Sequence, residues 1–481
     1  MSQTLAQVGG PLGCGGLALL FAAGRRDLRL AGLGAWAAGI ALMLPFLAPS
    51  GQILRLAAAG VAGLAVAAAL AAVFRRWPWS LAFAALVCAP VRVPVSVGDT
   101  EANLLIPLYG VVAGGALALG WELVRGESRR GELGPLAWPL AAFLTWSGLT
   151  LAWTGDLRQG AVSIFFFYLP FGLLALLLAR LPWRPRPVAA LGGLLAGMAL
   201  VVAGIGAYQW VARDIFWNPK VIVGNAYAPF FRVNSLFWDP SIYGRFLVVA
   251  ILACLVFVLL GSDRRLGLAA VGTIVVAWLG LLLSFSQSSF TALFAGVILA
   301  AALAWRRRAV APVALAAAAL LSLGAAGTGR LAGTSGTGLN EASSGRLDLV
   351  SQGVRIAADH PLSGVGIGGF KRAYADRQGL RGRDPRSAAS HNTPVTVAAE
   401  AGLPGLGLLL WLGVTALIAA LGGVPRSFAG RALLICGVAL TAIGVHSLFY
   451  NALFEDPMTW GLLGLVALAR VAVRAEAGAP A

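Results

Sequence analysis

Long apolar runs, separated by short polar breaks that carry arginine, dominate this chain. Fifteen runs have the length and character of a membrane span: 5–23, 30–48, 54–73, 78–91, 103–123, 135–153, 159–179, 187–209, 243–260, 266–284, 288–304, 309–327, 402–421, 432–450 and 457–470. A hydrocarbon core of about 30 Å takes roughly 20 helical residues to cross, because a helix satisfies its own backbone N–H and C=O groups. The pattern predicts an all-α integral membrane protein, a polytopic bundle of twelve to fifteen transmembrane helices. The run at 78–91 is short and holds Pro90, which suits a re-entrant segment, and the first run suits a partial or interfacial helix. No basic stretch precedes that first run, so no cleaved signal is expected.

The polar breaks set an orientation, since short cytoplasmic loops are enriched in Lys and Arg. Alternate breaks hold the clusters: Arg25, Arg26 and Arg29; Arg75 and Arg76; Arg125, Arg129 and Arg130; Arg180, Arg184 and Arg186. The register continues through Arg264 and Arg265, Arg306 to Arg308, Arg426 and Arg431, and Arg470 and Arg474. The other short loops carry only Arg55, Arg92 and Arg158. This divides the chain into N-terminal helices (1–209), an external loop (210–241), central helices (242–327), a large external loop with short helices (328–401), and C-terminal helices with a cytoplasmic tail (402–481).

Composition agrees with a lipid environment: 59% of residues are hydrophobic, 11% are charged and the mean hydropathy is +0.83. The net charge of +17 invites a nucleic-acid reading, but the cytoplasmic clusters account for most of it and leave no basic face to track a phosphate backbone. Cys14, Cys88, Cys254 and Cys436 all lie in apolar runs, far apart in sequence, and suggest neither a disulfide framework nor a zinc site. No internal repeat is evident, which counts against inverted-repeat transporters. The large external loop carries nine positive charges that topology permits without explaining, and an anionic substrate at that face would explain them.

Candidate chemistry therefore concentrates in the two external loops. In RVNSLFWDPSIYGRF, Asp239 and Pro240 suit the Ncap and N1 positions of a helix, and Trp238 and Tyr243 suit an interfacial belt. Arg232 has no evident structural role there. In the second loop, 328–343 is rich in Gly, Ser and Thr, and apolar residues at helical spacing predict an amphipathic helix from Arg346 to Asp359. PLSGVGIGGF follows, with Gly364, Gly366, Gly368 and Gly369 suggesting tight turns and exposed backbone N–H groups, in a spacing unlike the dinucleotide fingerprint. Residues 376–390 form a charged stretch, after which His391 opens the approach to the next span. His360 and His446 have weaker cases.

Three blocks, RVNSLFWDPSIYG, SGRLDLVSQGVRIAADHPLSGVGIGGF and HNTPVTVAAEAGLPGLGLLL, resemble those of the bacterial O-antigen ligase and O-antigen polymerase superfamily, in the family's order. Members often carry Ser-Arg where SFSQSSF places Gln287, which puts in doubt any anion contact made by that arginine in relatives. The resemblance implies a GT-C-like, metal-independent glycosyltransferase without a cofactor. Its donor would be an undecaprenyl-diphosphate-linked oligosaccharide, and its acceptor a sugar hydroxyl on a second lipid-linked glycan or on a lipid A core. Arg232 and Arg346 would bind the diphosphate, because a guanidinium donates to phosphate as a bidentate fork. His391 would be the general base or orient the acceptor, with Asn392, Asp239, Arg245, Arg372 and Glu400 as further substrate contacts. The implied location is a bacterial inner membrane with the active site outside, among membrane lipids, with a flippase and a chain-length regulator as candidate partners. A polymerase is favoured over a ligase. A lipid-linked-sugar flippase is the alternative of another class, and the signature of the peptidoglycan glycosyltransferases of shape and division is not found.

Overall fold

The computed structural model describes residues 1–48, 53–97, 100–126, 131–227, 230–305, 346–379, 390–422 and 427–478. The expected span at 309–327, the Gly/Ser/Thr-rich 328–343 and most of the charged stretch, with Arg381, Arg383 and Arg386, lie outside these residues. The described helices are α1 (Ser2–Ala22), α2 (Arg26–Leu47), α3 (Ile53–Arg76), α4 (Ser80–Cys88), α5 (Ile106–Val124), α6 (Ala137–Thr150), α7 (Leu157–Ala179), α8 (Pro185–Ala212) and α9 (Pro219–Tyr227). They continue with α10 (Pro240–Leu260), α11 (Arg264–Ser284), α12 (Gln287–Trp305), α13 (Arg346–Asp359), α14 (Phe370–Arg377), α15 (Thr393–Leu421), α16 (Phe428–Ser447) and α17 (Pro457–Gly478). Among the described residues, 11 helices are long and apolar enough to cross a membrane, and the chain is a multi-pass membrane protein. The amphipathic α13 begins and ends where its apolar spacing predicts. A small antiparallel hairpin, β1 (Val93–Val97) with β2 (Thr100–Leu104), was not expected, and α4 is only 9 residues long, too short to span alone.

The helices pack as two apolar cores, one centred on α1, α5, α6, α7 and α17 and the other on α8, α10, α11 and α12, with α16 contributing to both. Hydrocarbon offers no hydrophobic drive for helix association, so close packing of small residues takes over. A Cβ on Gly16 of α1 would stand 2.5 Å from the Gly32 oxygen of α2, so these backbones touch only because both residues are glycine.

Contacts between helix ends define two opposite faces. On the arginine-rich face, Arg29 of α2 pairs with Glu132 at 2.8 Å, and Arg180 after α7 pairs with both Glu132 and Glu122 of α5, the latter at 2.6 Å. Buried ion pairs repay desolvation only when every charge finds partners, and here two acids lie between two arginines. On the other face, the ends of α6, α8, α11 and α16 meet the starts of α7, α10, α12, α15 and α17.

At that second face α15 breaks, and the break organises the loop beside it. Pro404 has no N–H, so the Glu400 carbonyl loses its intrahelical donor. Gly402 adopts φ 69°, ψ −176°, a conformation open essentially to glycine alone. The freed groups are taken up by the glycine-rich segment before α14: Val365 N donates to Ala399 O at 2.9 Å, Gly366 N to Glu400 O at 2.8 Å, and Leu403 N to Pro361 O at 2.7 Å. The other edge of that segment holds the α6–α7 turn, where Gly155 N donates to Val365 O at 3.2 Å and Thr154 Oγ1 to Ile367 O at 2.8 Å. The N–H groups of PLSGVGIGGF, expected to be exposed, are thus largely spent on structure. Gly364, Gly366 and Gly368 all have positive φ, and a Cβ on Gly366 would lie 2.3 Å from Thr154 Cα.

Gly366→Ala is therefore expected to destabilise the fold by more than about 2 kcal/mol, from the left-handed backbone and the overlap together. Gly407→Ala in α15, with open space around it, is expected to be neutral. Thermal unfolding of the detergent-solubilised variants checks both; equal melting temperatures would refute the clasp.

Candidate functional site

The first external block is held by polar pegs from neighbouring helices. Gln209 of α8 is buried and grips the chain with both ends of its amide, its Oε1 accepting from Ser235 N at 2.7 Å and its Nε2 donating to Ser235 O at 3.1 Å. Val233 N donates to Leu283 O at 3.2 Å. Arg232 is fixed from both sides: its backbone pairs with the Asn225 side chain at 2.9 Å in each direction, and its Nε donates to Ser284 O at 3.1 Å. The sequence offered no structural role for this arginine, and the structure supplies one, since it caps a carbonyl left orphaned at the end of α11. Burial lowers its pKa, with the Asp239 carboxylate opposing.

Asp239 caps α10, accepting from Ser241 N at 2.7 Å, and its carboxylate lies within electrostatic reach of the Tyr450 phenol. Tyr450 lies in the turn 448–456 between α16 and α17, within electrostatic reach of Arg232 and Arg245. Burial and the Asp239 charge hold this phenol well above its ordinary pKa, so it stays a donor. Arg245, buried in α10, anchors the same turn: it pairs with Asp456 at 2.8 Å and donates to Ala452 O at 3.2 Å. Asp456 in turn caps α17 through Met458 N at 2.9 Å. Its neighbour Glu455 is reached by solvent but is surrounded by protein in a cleft shared with Arg92 and Arg245. That enclosure raises its carboxyl pKa, and the two arginines oppose the rise.

The third block joins this turn through Asn392. Its Oδ1 caps α15 by accepting from Val395 N at 3.0 Å, and its Nδ2 donates to Leu448 O at 3.0 Å. His391, just ahead, is half-buried in the left-handed conformation at φ 57°. Arg346 opens α13, and its side chain lies outside the described residues. The structure thus brings Arg232, Asp239 and Arg245 together around Tyr450, with Asn392 latched to the same turn. Glu400 and Arg372 belong to the glycine clasp: Glu400 Oε1 accepts from Phe370 N at 3.3 Å, and Arg372 donates to Gly155 O at 2.6 Å.

Several residues of this region carried little signal in the sequence. Arg92 reads as a scattered loop cation, and Tyr450 sits inside an apolar run. His446 is fully buried, its Nε2 3.1 Å from Ser288 Oγ and its ring edge-on to Tyr450 at 5.6 Å. Ser288 belongs to a hydroxyl cluster with Ser286, which is 2.8 Å from Ser289. Gln287, within the same SFSQSSF segment, is exposed. The one signal available was the spacing of polar residues at the start of α12 and the end of α16.

Residues 272–410 match a family model described as O-Antigen ligase. No curated protein matches the chain. The matched stretch runs from within α11 to Leu410 of α15 and so contains the second and third blocks, whereas Arg232, Tyr450 and Glu455 stand outside it.

Two stability outcomes follow from this geometry. Arg245→Ala strands Asp456 in a buried position and is expected to cost about 3–5 kcal/mol. An Arg245→Met, Asp456→Leu double variant is expected to recover part of that loss; a double variant as unstable as the single would refute the ion-pair account. For Glu455 the raised folded pKa means that the charged form is disfavoured on folding, so the penalty is absent below the unfolded carboxylate range and grows as pH rises through the folded value. Glu455→Gln is expected to raise the melting temperature at pH 7 and leave it unchanged near pH 4. A gain of equal size at both pH values would refute the assignment.

Proposed function

We propose, for a chain whose residues 272–410 match a family model described as O-Antigen ligase, that it polymerises undecaprenyl-diphosphate-linked oligosaccharide repeat units. The family supports a glycosyltransferase-like enzyme with O-antigen ligase or polymerase-type activity on lipid-linked glycans. The face opposite the arginine-rich clusters is the proposed site of reaction, at the outer side of an inner membrane.

The observation that supports this reading best is Arg232. Its Nε is anchored on the end of α11, which aims the guanidinium, and the two terminal nitrogens are the fork that a phosphate oxygen pair suits. In the reaction an acceptor hydroxyl oxygen bonds to the anomeric carbon while the bond from that carbon to the diphosphate oxygen breaks, its electron pair leaving with the diphosphate. Cations at the developing charge are among the largest contributions a site can make. Arg346, at the start of α13, is the second proposed cation, and His391 is proposed to take the acceptor proton or to orient the acceptor. The Tyr450 phenol lies within electrostatic reach of both Arg232 and the Asp239 carboxylate, and that carboxylate is committed to the Ser241 N–H at the start of α10. The ligase reading stays as the second, because the matching family model carries that description.

Purified protein given a synthetic undecaprenyl-diphosphate repeat unit alone is expected to yield a ladder of products. No product until a lipid A core is added would replace polymerase with ligase, and no product under either condition would sink both. Arg232→Ala is expected to abolish transfer and Arg232→Lys to restore only part of it, since an ammonium lacks the fork. His391→Ala is expected to lose about a hundredfold or more in rate while retaining donor binding. A fall of less than tenfold would remove the proton-transfer role.

A further inference from the structure

The arginine-rich face carries a feature that the transfer reaction does not use. Its arginines at the ends of α2 and α7 are committed internally: Arg29 and Arg180 to Glu132, Arg180 also to Glu122, Arg25 to Asp27 at 2.6 Å, and Arg26 to the terminal carbonyls of α5, Leu123 O at 2.6 Å and Val124 O. Glu122 is thus already neutralised, and Arg26 has capped the negative end of the α5 dipole. Arg75, ending α3, and Arg125, following α5, are arranged differently. Both are exposed, and both converge on the ring of Trp121, with their guanidinium carbons 4.4 and 4.6 Å from its centroid.

One indole therefore gathers two like charges, whose guanidinium carbons are at most 9.0 Å apart. The ring's quadrupole attracts each cation, but it does nothing to reduce their mutual repulsion, which grows where the low-dielectric membrane begins. Trp121 is 45% exposed at the end of a spanning helix, the level at which tryptophan meets headgroups. Two exposed forks beside such a ring, between the ends of α3 and α5, have the composition of a phosphate site rather than of a solvated charge pair.

We propose that Arg75, Arg125 and Trp121 bind the phosphate headgroup of an anionic phospholipid in the leaflet on the arginine-rich face. The guanidiniums hold the phosphate oxygens from two sides, and the indole lies against the glycerol and upper acyl region. The lipid ties the end of α3 to the end of α5. Phosphatidylcholine, whose phosphate is balanced by its own ammonium, is disfavoured beside two arginines.

The full chain in detergent, titrated with phosphatidylglycerol, cardiolipin or phosphatidylcholine and read by native mass spectrometry, tests this. Wild type is expected to retain phosphatidylglycerol or cardiolipin at least tenfold better than phosphatidylcholine. Arg75→Gln with Arg125→Gln is expected to abolish that preference, and Arg184→Gln with Arg186→Gln, on the same face, to leave it intact. If the double variant cannot be purified, the single Arg75→Gln and Arg125→Gln variants carry the test, each reducing the preference. Equal retention of phosphatidylcholine, or equal loss in the Arg184 and Arg186 variant, would overturn the proposal. Displacement of the lipid by millimolar inorganic phosphate would overturn the lipid in favour of a free-phosphate site.

Discussion

A carbonyl that has lost its donor is the constraint on which the face proposed for the reaction depends. Within or near hydrocarbon an unsatisfied backbone group costs several kcal/mol, and Pro404 creates one at Glu400 by lacking an N–H. The chain answers by bringing Gly366 to that oxygen and Val365 to the one before it. Because Gly366 also packs on Thr154, the same few residues bind the α6–α7 turn to the broken helix. The short upper part of α15, from Thr393 to Ala401, is thereby held as a separate piece. Asn392 at its start then reaches Leu448, and His391 precedes Asn392. A single imino acid in the chain thus sets the helix break above which the candidate histidine sits.

The turn 448–456 is the second organising element, and its role is electrostatic. Arg245 and Asp456 fix it through an ion pair, Asn392 donates to it at Leu448 O, and Tyr450 stands on it within electrostatic reach of Asp239. Arg232 lies within electrostatic reach of Asp239 and is tethered to the end of α11. Cation and acid have separate partners: the Asp239 carboxylate accepts from Ser241 N, and the Arg232 guanidinium donates to Ser284 O through Nε. A diphosphate entering here would find a cation already oriented, which limits the reorganisation that charge stabilisation otherwise requires.

Much of this fold was legible in the sequence, for a physical reason. Apolar length is a direct consequence of bilayer thickness, so the spans and their arginine-marked ends could be read without tertiary information. The extent of the amphipathic α13 was legible for a similar reason, but not its buried stripe, which is Leu349, Gly353 and Ile356 and leaves Val354 of the apolar period exposed. What could not be read was every contact made across the bundle. Arg232 looked free of structural duty because its partner, Ser284 O, is a backbone atom 52 residues away. The glycines of the second loop looked like turns because the atoms that forbid a side chain there belong to Thr154, Gly160 and Glu400. Tyr450 and His446 were hidden inside an apolar run, where a single polar residue is invisible to periodicity.

The two faces of the bundle treat arginine in opposite ways, and this separates architecture from chemistry. On the arginine-rich face, Arg29 and Arg180 are neutralised by Glu122 and Glu132 in a buried network, so they fix helix ends without offering charge to a ligand. On the opposite face the acid that pairs directly with a buried arginine, Asp456, is spent on Arg245, and both serve the turn rather than a substrate. Arg232 differs from all three, because it is tethered through a neutral carbonyl and, among the described residues, makes no direct ion pair. A carbonyl tether gives position without neutralisation, while a carboxylate gives both. An arginine meant to meet an incoming anion needs the first and is weakened by the second, which is why the tether on Ser284, more than the arginine's place in a recognisable block, is the physical argument for assigning it the anion.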